Sequence, residues 1–287
     1  MQPSQISTVS NTDPCPKSSP CLTDDWFIHV QERNENKLAW ENKPRLREEY
    51  GRLFEEIRKE LAQSEDFGGT LSSESIISLE LGSGMGNIKQ WIPEMVTSER
   101  DPSPDVDRIE SAYEINYPDG ALSNIVAMDV WHHLACPEQA LDEWHRALQH
   151  GGRVVLMEPG MSLLGFLIFG LIHHEPVGWF TKFLPKSKWS ADDETYFAAQ
   201  SSAHRHFVRK QFPELLQGWT VKTKRLPALA YLTTGGFSKP QIGPNWFAKL
   251  FRMLETPASF FPWIFSTRLL VVLEKISDKP KQPSFLR

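Results

Sequence analysis

The stretch that decides the fold runs from Glu80 to Gly86 and reads Glu-Leu-Gly-Ser-Gly-Met-Gly. It follows a short apolar run at residues 76–81, which is typical of a central strand in a parallel sheet. Glycines at such a turn let the backbone come close to a ligand, because a Cβ atom there would clash. The spacing is GxGxG, so it fits neither the GxGxxG dinucleotide-binding turn nor a P-loop, which needs a Lys-Ser or Lys-Thr pair.

Strands and helices alternate on either side of this turn. Short runs of apolar and β-branched residues predict further strands at 94–99, 124–130, 153–158, 219–226 and 268–274. A helix that opens at Pro137 has apolar residues on one side, and we expect Gly151 and Gly152 to close it. The alternation predicts an α/β fold with a three-layer, doubly wound, mostly parallel sheet.

Composition divides the chain into segments. A Ser- and Pro-rich tail is predicted to be disordered, and the remaining residues are predicted to form a single domain. The predicted segments are the tail at 1–24 and the domain at 25–287, made of a helix at 43–63, a core at 76–160, an insertion at 161–215 and the last strands at 216–287. The insertion is expected to cover the substrate side of the sheet. Aromatic-rich runs at 163–169, 179–180 and 260–265 are interpreted as core, with some side chains lining an apolar pocket.

Charge and cysteine content exclude some classes of function. The 287 residues have a net charge of -5 and a pI near 6.0, which argues against a nucleic-acid partner because such a partner requires a basic face. The longest apolar run, at 161–172, is shorter than the roughly 20 residues of a transmembrane helix. Cys15, Cys21 and Cys136 show no metal-ligand spacing, and no apolar leader is present, so we expect a cytoplasmic protein.

Two acidic residues indicate what the glycine-rich turn binds. Glu80 directly precedes the turn, where a carboxylate would repel a pyrophosphate but would suit a cationic ligand. Glu99 ends the next predicted strand, 19 residues later, where a carboxylate can accept hydrogen bonds from both ribose hydroxyls. Asp101 would take this place if that strand is shifted by two residues. The two positions together favour a cationic ligand that contains a ribose.

With these residues, the segment from about 76 to 176 resembles the class I S-adenosylmethionine-dependent methyltransferases, specifically the bacterial type 11 group. The family's first motif matches residues 80–86, and its acidic ribose-binding position matches Glu99. The loop Tyr-Pro-Asp-Gly-Ala-Leu at 117–122 and the strand and turn at 124–134, ending Asp-Val-Trp-His-His-Leu, also match. Residues 143–158 resemble the family's following helix and fifth strand.

This resemblance implies S-adenosylmethionine as the cofactor and a seven-stranded sheet whose last strand is antiparallel. It also implies that the turn wraps the methionine and ribose portions, and that the adenine lies near Ser111, where the family often has an acid. The connection between Glu99 and Ser111 is short, so the helix expected there is reduced to a loop. The predicted cofactor-binding residues are Glu80, Gly82, Ser83, Gly84, Gly86, Glu99, Ser111, Ala112, Met128, Asp129 and Val130.

Methyl transfer from a sulfonium requires alignment of donor and acceptor, and in many cases removal of a proton from the acceptor. The candidate catalytic residues are His132, His133, His174 and Glu158. The first two could instead be a structural pair, and Glu158 could be a cap. We expect no metal, because the consecutive side chains of His173, His174 and Glu175 cannot easily surround one ion.

The acceptor is less well defined than the cofactor. We expect a small molecule, apolar or lipid-linked, and an oxygen acceptor is favoured because no element marks a nucleic-acid or protein substrate. A nicotinamide-dependent oxidoreductase would need GxGxxG and a Tyr/Lys pair, which the sequence does not show. The alternative that stays open is a non-catalytic, cofactor-binding partner subunit with the same fold. The sequence has no signal for oligomeric state.

Overall fold

A seven-stranded sheet forms the centre of the computed structural model, which describes residues 24–67, 76–173, 175–186 and 197–276. The strands are β1 (Ser78–Leu81), β2 (Val96–Glu99), β3 (Arg108–Ile109), β4 (Leu122–Met128), β5 (Leu148–Pro159), β6 (Trp219–Leu226) and β7 (Arg268–Lys275). Their spatial order is β3-β2-β1-β4-β5-β7-β6. The first five strands are parallel, whereas β7 is antiparallel to both β5 and β6. This confirms the predicted mostly parallel sheet with an antiparallel last strand.

The strand order reverses at β1, which pairs with β2 on one side and with β4 on the other. Ligands of open parallel sheets bind beyond the carboxyl ends of the strands at such a reversal. Residues 82–86 follow β1 directly, so the glycine-rich turn lies at this point. We call this side of the sheet the carboxyl edge.

Helices cover both faces of the sheet. They are α1 (Asp24–Asn42), α2 (Pro44–Arg58), α3 (Pro137–Ala147), α4 (Leu163–Leu171), α5 (Leu229–Leu232), α6 (Asn245–Ala258) and α7 (Pro262–Phe265). Alternate residues of β4 point to opposite faces: Ile125 packs with Trp144 of α3, and Val126 packs in the cluster that contains Leu46 and Phe54 of α2. The strands are therefore buried on both sides, as their uninterrupted apolar sequences predict.

Two predicted helix boundaries differ in the structure. The segment before Lys43 is helical as α1, and α2 ends at Arg58, short of the expected residue 63. Gly151 and Gly152 do not cap α3, because that helix ends at Ala147 and both glycines lie inside β5. Gly151 adopts a left-handed φ of 76° where the β4–β5 register shifts, so it accommodates an irregularity in a strand.

Two insertions extend the fold from the carboxyl edge. The first, between β5 and β6, contains α4 and a short π-helix, His204–Val208. The second, residues 227–267 between β6 and β7, contains α5, α6 and α7, in a region that the sequence assigned to the last strands. Its two ends meet, because Thr267 N donates to Leu226 O at 2.9 Å.

The insertions also correct the interpretation of the aromatic runs as core. Phe180 is 95% exposed, Phe260 73% and Trp263 58%, and α4 exposes Leu171 by 75%. These side chains come from segments that the sheet does not cover. Within the described ranges, no helix combines the length and apolar character needed to cross a bilayer.

Candidate active site

The glycine-rich turn is shaped by contacts that exclude side chains. Gly82, Gly84 and Gly86 all have left-handed φ angles, 67°, 61° and 65°. A Cβ on Gly82 would lie 2.5 Å from Val130 Cγ2, and one on Gly86 would lie 2.6 Å from Asp105 O. At Gly84, by contrast, no described atom lies within 4 Å of that position. The backbone of Gly84 therefore faces open space, as the cofactor site requires.

Glu80 lies in β1, just before this turn, and is only 4% exposed. Its Oε2 has no hydrogen-bond partner among the described residues. Burial and the nearby charge of Glu99 raise the pKa of Glu80 to about 7, against a smaller opposing effect of Ser83. A buried acceptor without a partner fits a cationic ligand, because such a ligand would supply the missing donor and favour the charged form.

Glu99 lies across the turn from Glu80, at the end of β2. Its Oε1 accepts a hydrogen bond from Gly84 N, and burial raises the pKa of Glu99 above its ordinary value. The carboxylate is thus held beside the open space next to Gly84, which is consistent with the predicted ribose-binding role. Asp101 is paired with Arg100 at 3.4 Å and lies two residues beyond the strand.

The predicted adenine-binding residues lie on the neighbouring strand end. Glu110 N donates to Glu99 O at 2.9 Å, which places Ser111 and Ala112 at the carboxyl edge beside β2. The Ser111 hydroxyl already accepts from Tyr113 N at 3.1 Å, and Ala112 O accepts from an indole N–H. Residues 100–107, all described, contain no helix, in agreement with the shortened connection predicted between Glu99 and Ser111.

Residues 128–130 follow β4 and close the other side of the turn. Val130 packs against Gly82, and Met128 is half-buried against the cluster of α2. Asp129 has a left-handed φ of 57°, rare for a residue with a side chain, and its carboxylate pairs with the buried guanidinium of Arg268. Sequence patterns did not single out Arg268, because its partner is brought to it only by the antiparallel pairing of β7.

Glu158 is a cap, one of the two roles considered for it. Its Oε1 accepts from Val130 N at 3.0 Å and from Trp131 N at 2.7 Å, at the start of the short 3-10 helix Trp131–His133. Its Oε2 lies 2.7 Å from His132 Nδ1. The carboxylate is fully buried, so it fixes the orientation of His132 and does not reach an acceptor.

The two histidines lie side by side with a third group from the first insertion. The rings of His132 and His133 are 4.1 Å apart, and the Nε2 atom of each lies 3.5 Å from an oxygen of Glu175. His133 Nδ1 lies 3.0 Å from Phe197 O. We call His132, His133 and Glu175 the histidine–glutamate cluster. Glu175 was not predicted as a site residue, although it lies in the His-His-Glu stretch that sequence analysis noted.

The charges of this cluster are unequal. Burial lowers the pKa of His132, but the charge and hydrogen bond of Glu158, with a contribution from Glu175, outweigh it and raise the pKa to about 10. Burial and the neighbouring His132 lower the pKa of His133. His133 is also the more exposed of the two, at 35% of its side chain against 4%. His174 lies outside the described residues.

Comparison with known proteins shows which part of this chain is similar to a described family. Residues 79–156 match the family model described as a methyltransferase domain. No curated protein matches the chain. Similar solved structures include geranyl diphosphate C-methyltransferase from Streptomyces coelicolor A3(2), at 12% identity and a TM-score of 0.45 over 78% of this chain and 75% of that one. Another is a SAM-dependent methyltransferase from Archaeoglobus fulgidus, at 15% identity and a TM-score of 0.42 over 70% of this chain and 86% of that one.

The matched residues span the sheet from β1 to β5, including the glycine-rich turn, Glu99 and residues 128–130. These are the residues around the open space at Gly84 and the unpartnered oxygen of Glu80. Residues 79–156, which carry the glycine-rich turn, are thus similar to a methyltransferase domain.

Proposed function

We propose that this enzyme transfers a methyl group from S-adenosylmethionine to a hydroxyl oxygen of a small apolar or lipid-linked molecule. The observation that carries this proposal is an exposed apolar surface on three helices of the insertions. The apolar surface consists of Leu163, Phe166, Leu167, Leu171, Trp246, Leu250, Met253, Leu254, Phe260, Phe261 and Trp263. Monomeric proteins rarely expose large apolar patches unless the patch binds a partner, a ligand or a membrane.

The helices that bear this surface contact one another and lead into the site. α7 contacts both α4 and α6, and Ser162 Oγ donates to Ile264 O at 3.0 Å. α4 starts shortly after the capping Glu158 and ends shortly before Glu175, so it connects two elements of the site. An acceptor bound along α4 would therefore reach the carboxyl edge beside the histidine–glutamate cluster.

Composition supports a lipid environment for this surface. Residues 160–172 include no charged residue, and residues 240–267 include only Lys249, Arg252 and Glu255. Glu255 is paired with Arg52 at 2.7 Å and Arg252 with Glu48 at 2.8 Å, so the segment is rich in Trp and Phe and its charges are largely paired. Aromatic and aliphatic residues on one face are typical of segments that lie in the interface of a bilayer.

The cluster supports an oxygen acceptor. A hydroxyl group must lose its proton as it attacks, and a positioned group with a free electron pair assists that loss. S-adenosylmethionine supplies the activated methyl group when bound. In the protein, His133 Nδ1 donates a hydrogen bond to Phe197 O, so the electron pair of the neutral ring is on His133 Nε2, beside Glu175. The sequence's alternative, a partner subunit without catalysis, has no use for such a group.

The test uses S-adenosylmethionine with a tritiated methyl group and extracts of the source cells. We expect the label in the lipid extract. The labelled product should resist mild alkali and should not be extracted into acid, because a methyl ether is neither hydrolysed by alkali nor basic. Label confined to the aqueous extract, or in an acid-extractable amine, would contradict the proposal. Cofactor binding without transfer to either extract would favour the partner-subunit alternative.

A set of variants tests the role of the apolar surface. The triple change Leu167→Ser, Trp246→Ser and Phe260→Ser removes apolar area that would be buried in lipid, so vesicle affinity should fall by at least about tenfold. Flotation with vesicles containing anionic lipid measures this, and labelled transfer to the lipid extract should fall with it. Ile109→Ser is the matched control, because Ile109 is 54% exposed on β3, at the far end of the strand order.

A further inference from the structure

We infer that the histidine–glutamate cluster binds one divalent first-row transition metal ion, with Nε2 of His132, Nε2 of His133 and a carboxylate oxygen of Glu175 as ligands. One such atom from each of the three residues lies within 4.8 Å of the others. The ligands come from two distant parts of the chain. The cluster takes only Glu175 from the His173-His174-Glu175 stretch, so the objection to three consecutive ligands does not apply.

The ring orientations present the correct nitrogen atoms. His132 Nδ1 faces Glu158 Oε2, and His133 Nδ1 faces Phe197 O. The carbonyl oxygen of Phe197 can only accept a hydrogen bond, and so can the oxygen of an ionised Glu158. Each Nδ1 therefore holds a proton. Binding of a metal ion displaces any Nε2 proton and uses the Nε2 electron pair of each ring, and both Nε2 atoms are directed toward Glu175.

The spacing of the cluster is compatible with one bound ion. His132 Nε2 lies 3.5 Å from Glu175 Oε2, and His133 Nε2 lies 3.5 Å from Glu175 Oε1. Ligands bound tetrahedrally to zinc at roughly 2.0–2.1 Å are separated by about 3.3 Å. One ligand atom of each residue lies within 4.8 Å of the others, so small side-chain shifts would bring all three to one ion.

A second set of contacts supports the ligands from behind. Glu158 holds His132 in the carboxylate–histidine arrangement found at zinc sites, Phe197 O holds His133, and the amide of Gln200 donates to Glu175. His132 is buried and the side chain of Glu175 is 9% exposed, whereas that of His133 is 35% exposed, so one side of the site remains accessible. Three ligands with an accessible position are typical of catalytic sites for zinc or iron(II).

The role of the ion, but not its binding, rests on the proposed function. The ion would bind the acceptor oxygen at its accessible coordination position and would lower the pKa of the acceptor's hydroxyl group. In that state Nε2 of His133 is a ligand, so the ion replaces it in weakening the O–H bond. An acceptor of another class would leave the binding prediction unchanged.

The experiment is titration of the metal-free full-length protein with Co²⁺, followed by visible absorption. We expect one Co²⁺ per chain with d–d bands of a nitrogen and oxygen site, and metal analysis of the untreated protein should find about one transition ion per chain. His133→Gln and Glu175→Gln should each remove the bands. His150→Gln, which changes an exposed histidine bonded to Ile276 O, is the matched control.

Titration of S-adenosylmethionine into each variant shows whether it is folded. Absence of a Co²⁺ spectrum in a wild type that binds cofactor would overturn the inference, as would unchanged spectra in both ligand variants. Methyl transfer to the lipid extract by a wild type that binds no metal would reject the metal and leave the proposed function standing. Metal binding without methyl transfer to the lipid extract would support the metal site and reject the proposed function.

Discussion

The two halves of the site are built in different ways. The cofactor half, residues 79–156, is formed by strand ends and a turn whose side chains are excluded by close contacts, as at Gly82 and Gly86. The acceptor half, as proposed above, is formed by two insertions whose helices leave large apolar side chains in contact with solvent. The shape of the cofactor half is determined mainly by its backbone, whereas the character of the acceptor half depends mainly on exposed apolar side chains. Substitutions in the two halves should therefore fail in different ways.

The largest effect is expected at the turn. Gly84→Arg places a long side chain in the open space beside the backbone, so S-adenosylmethionine affinity should fall by more than about a hundredfold. The left-handed φ adds roughly 1–2 kcal/mol of strain. Calorimetric titration measures the affinity, and thermal unfolding measures the strain.

The control for this variant is Gly120→Arg. Gly120 also has a left-handed φ, 69°, but it precedes β4 at the opposite edge of the sheet, with its nearest contact at 3.8 Å. It should lose similar stability and keep its cofactor affinity. Equal loss of affinity in both variants would mean that the turn acts only through the fold.

The next effect concerns the ion pair between Asp129 and Arg268, which joins the cofactor half to the start of β7. Asp129→Asn removes the charge that pairs with buried Arg268, so the free energy of unfolding should fall by about 3–5 kcal/mol, toward the lower value because Asp129 is 32% exposed. Denaturant unfolding measures this. Asp119→Asn breaks an exposed pair with Arg146 and should cost less than about 1 kcal/mol. Equal losses would show that the Asp129 pair contributes no more stability than an exposed ion pair.

The smallest effect is expected for Glu80→Gln, which should stabilise the cofactor-free protein but weaken cofactor binding. Because the pKa of Glu80 is raised from 4.5 to about 7, the folded protein binds this proton more tightly than the unfolded chain does. Stability is lost as pH rises from about 4.5 to 7, so Glu80→Gln should stabilise the cofactor-free protein at pH 8 by up to about 3 kcal/mol. The same change should weaken S-adenosylmethionine binding by roughly 1.5–3 kcal/mol.

Thermal unfolding of the free protein at pH 5 and pH 8, with calorimetry at pH 8, measures both parts. Glu110→Gln is the control, since Glu110 is also buried but already accepts from Arg108 and Asn116. It should destabilise the protein at pH 8. Stronger cofactor binding by Glu80→Gln would contradict the role assigned to this carboxyl group.

Sequence predicted the cofactor half well because its signals are local. An apolar run followed by spaced glycines defines a strand and a ligand-binding turn within a few residues, and the resemblance supplied the strand order. The boundaries that differed, at Gly151 and Arg58, depend on pairing with β4 and on packing. The assignments of Glu80, Glu99, Ser111 and the neighbouring residues to the cofactor remain predictions, although their positions are consistent with them.

The acceptor half could not be predicted in the same way. Glu175 approaches His132 and His133 only after the first insertion folds back over the 3-10 helix, and no spacing in the sequence encodes that approach. The aromatic runs predicted burial because apolar side chains usually pack inside a protein. Their exposure follows from a shortage of sheet surface to cover them, which a linear pattern does not show.

The meeting of Leu226 and Thr267 has a consequence for how such an enzyme can change. Residues 227–267 leave the sheet after Leu226 and return to it at Thr267, and a hydrogen bond joins these two residues. We call this segment, whose two ends are adjacent, a cassette. A cassette of this kind can be exchanged between relatives without altering the spacing of β6 and β7. If this segment binds the acceptor as proposed, chimaeras joined at these two residues should change the acceptor and leave residues 79–156 unaltered.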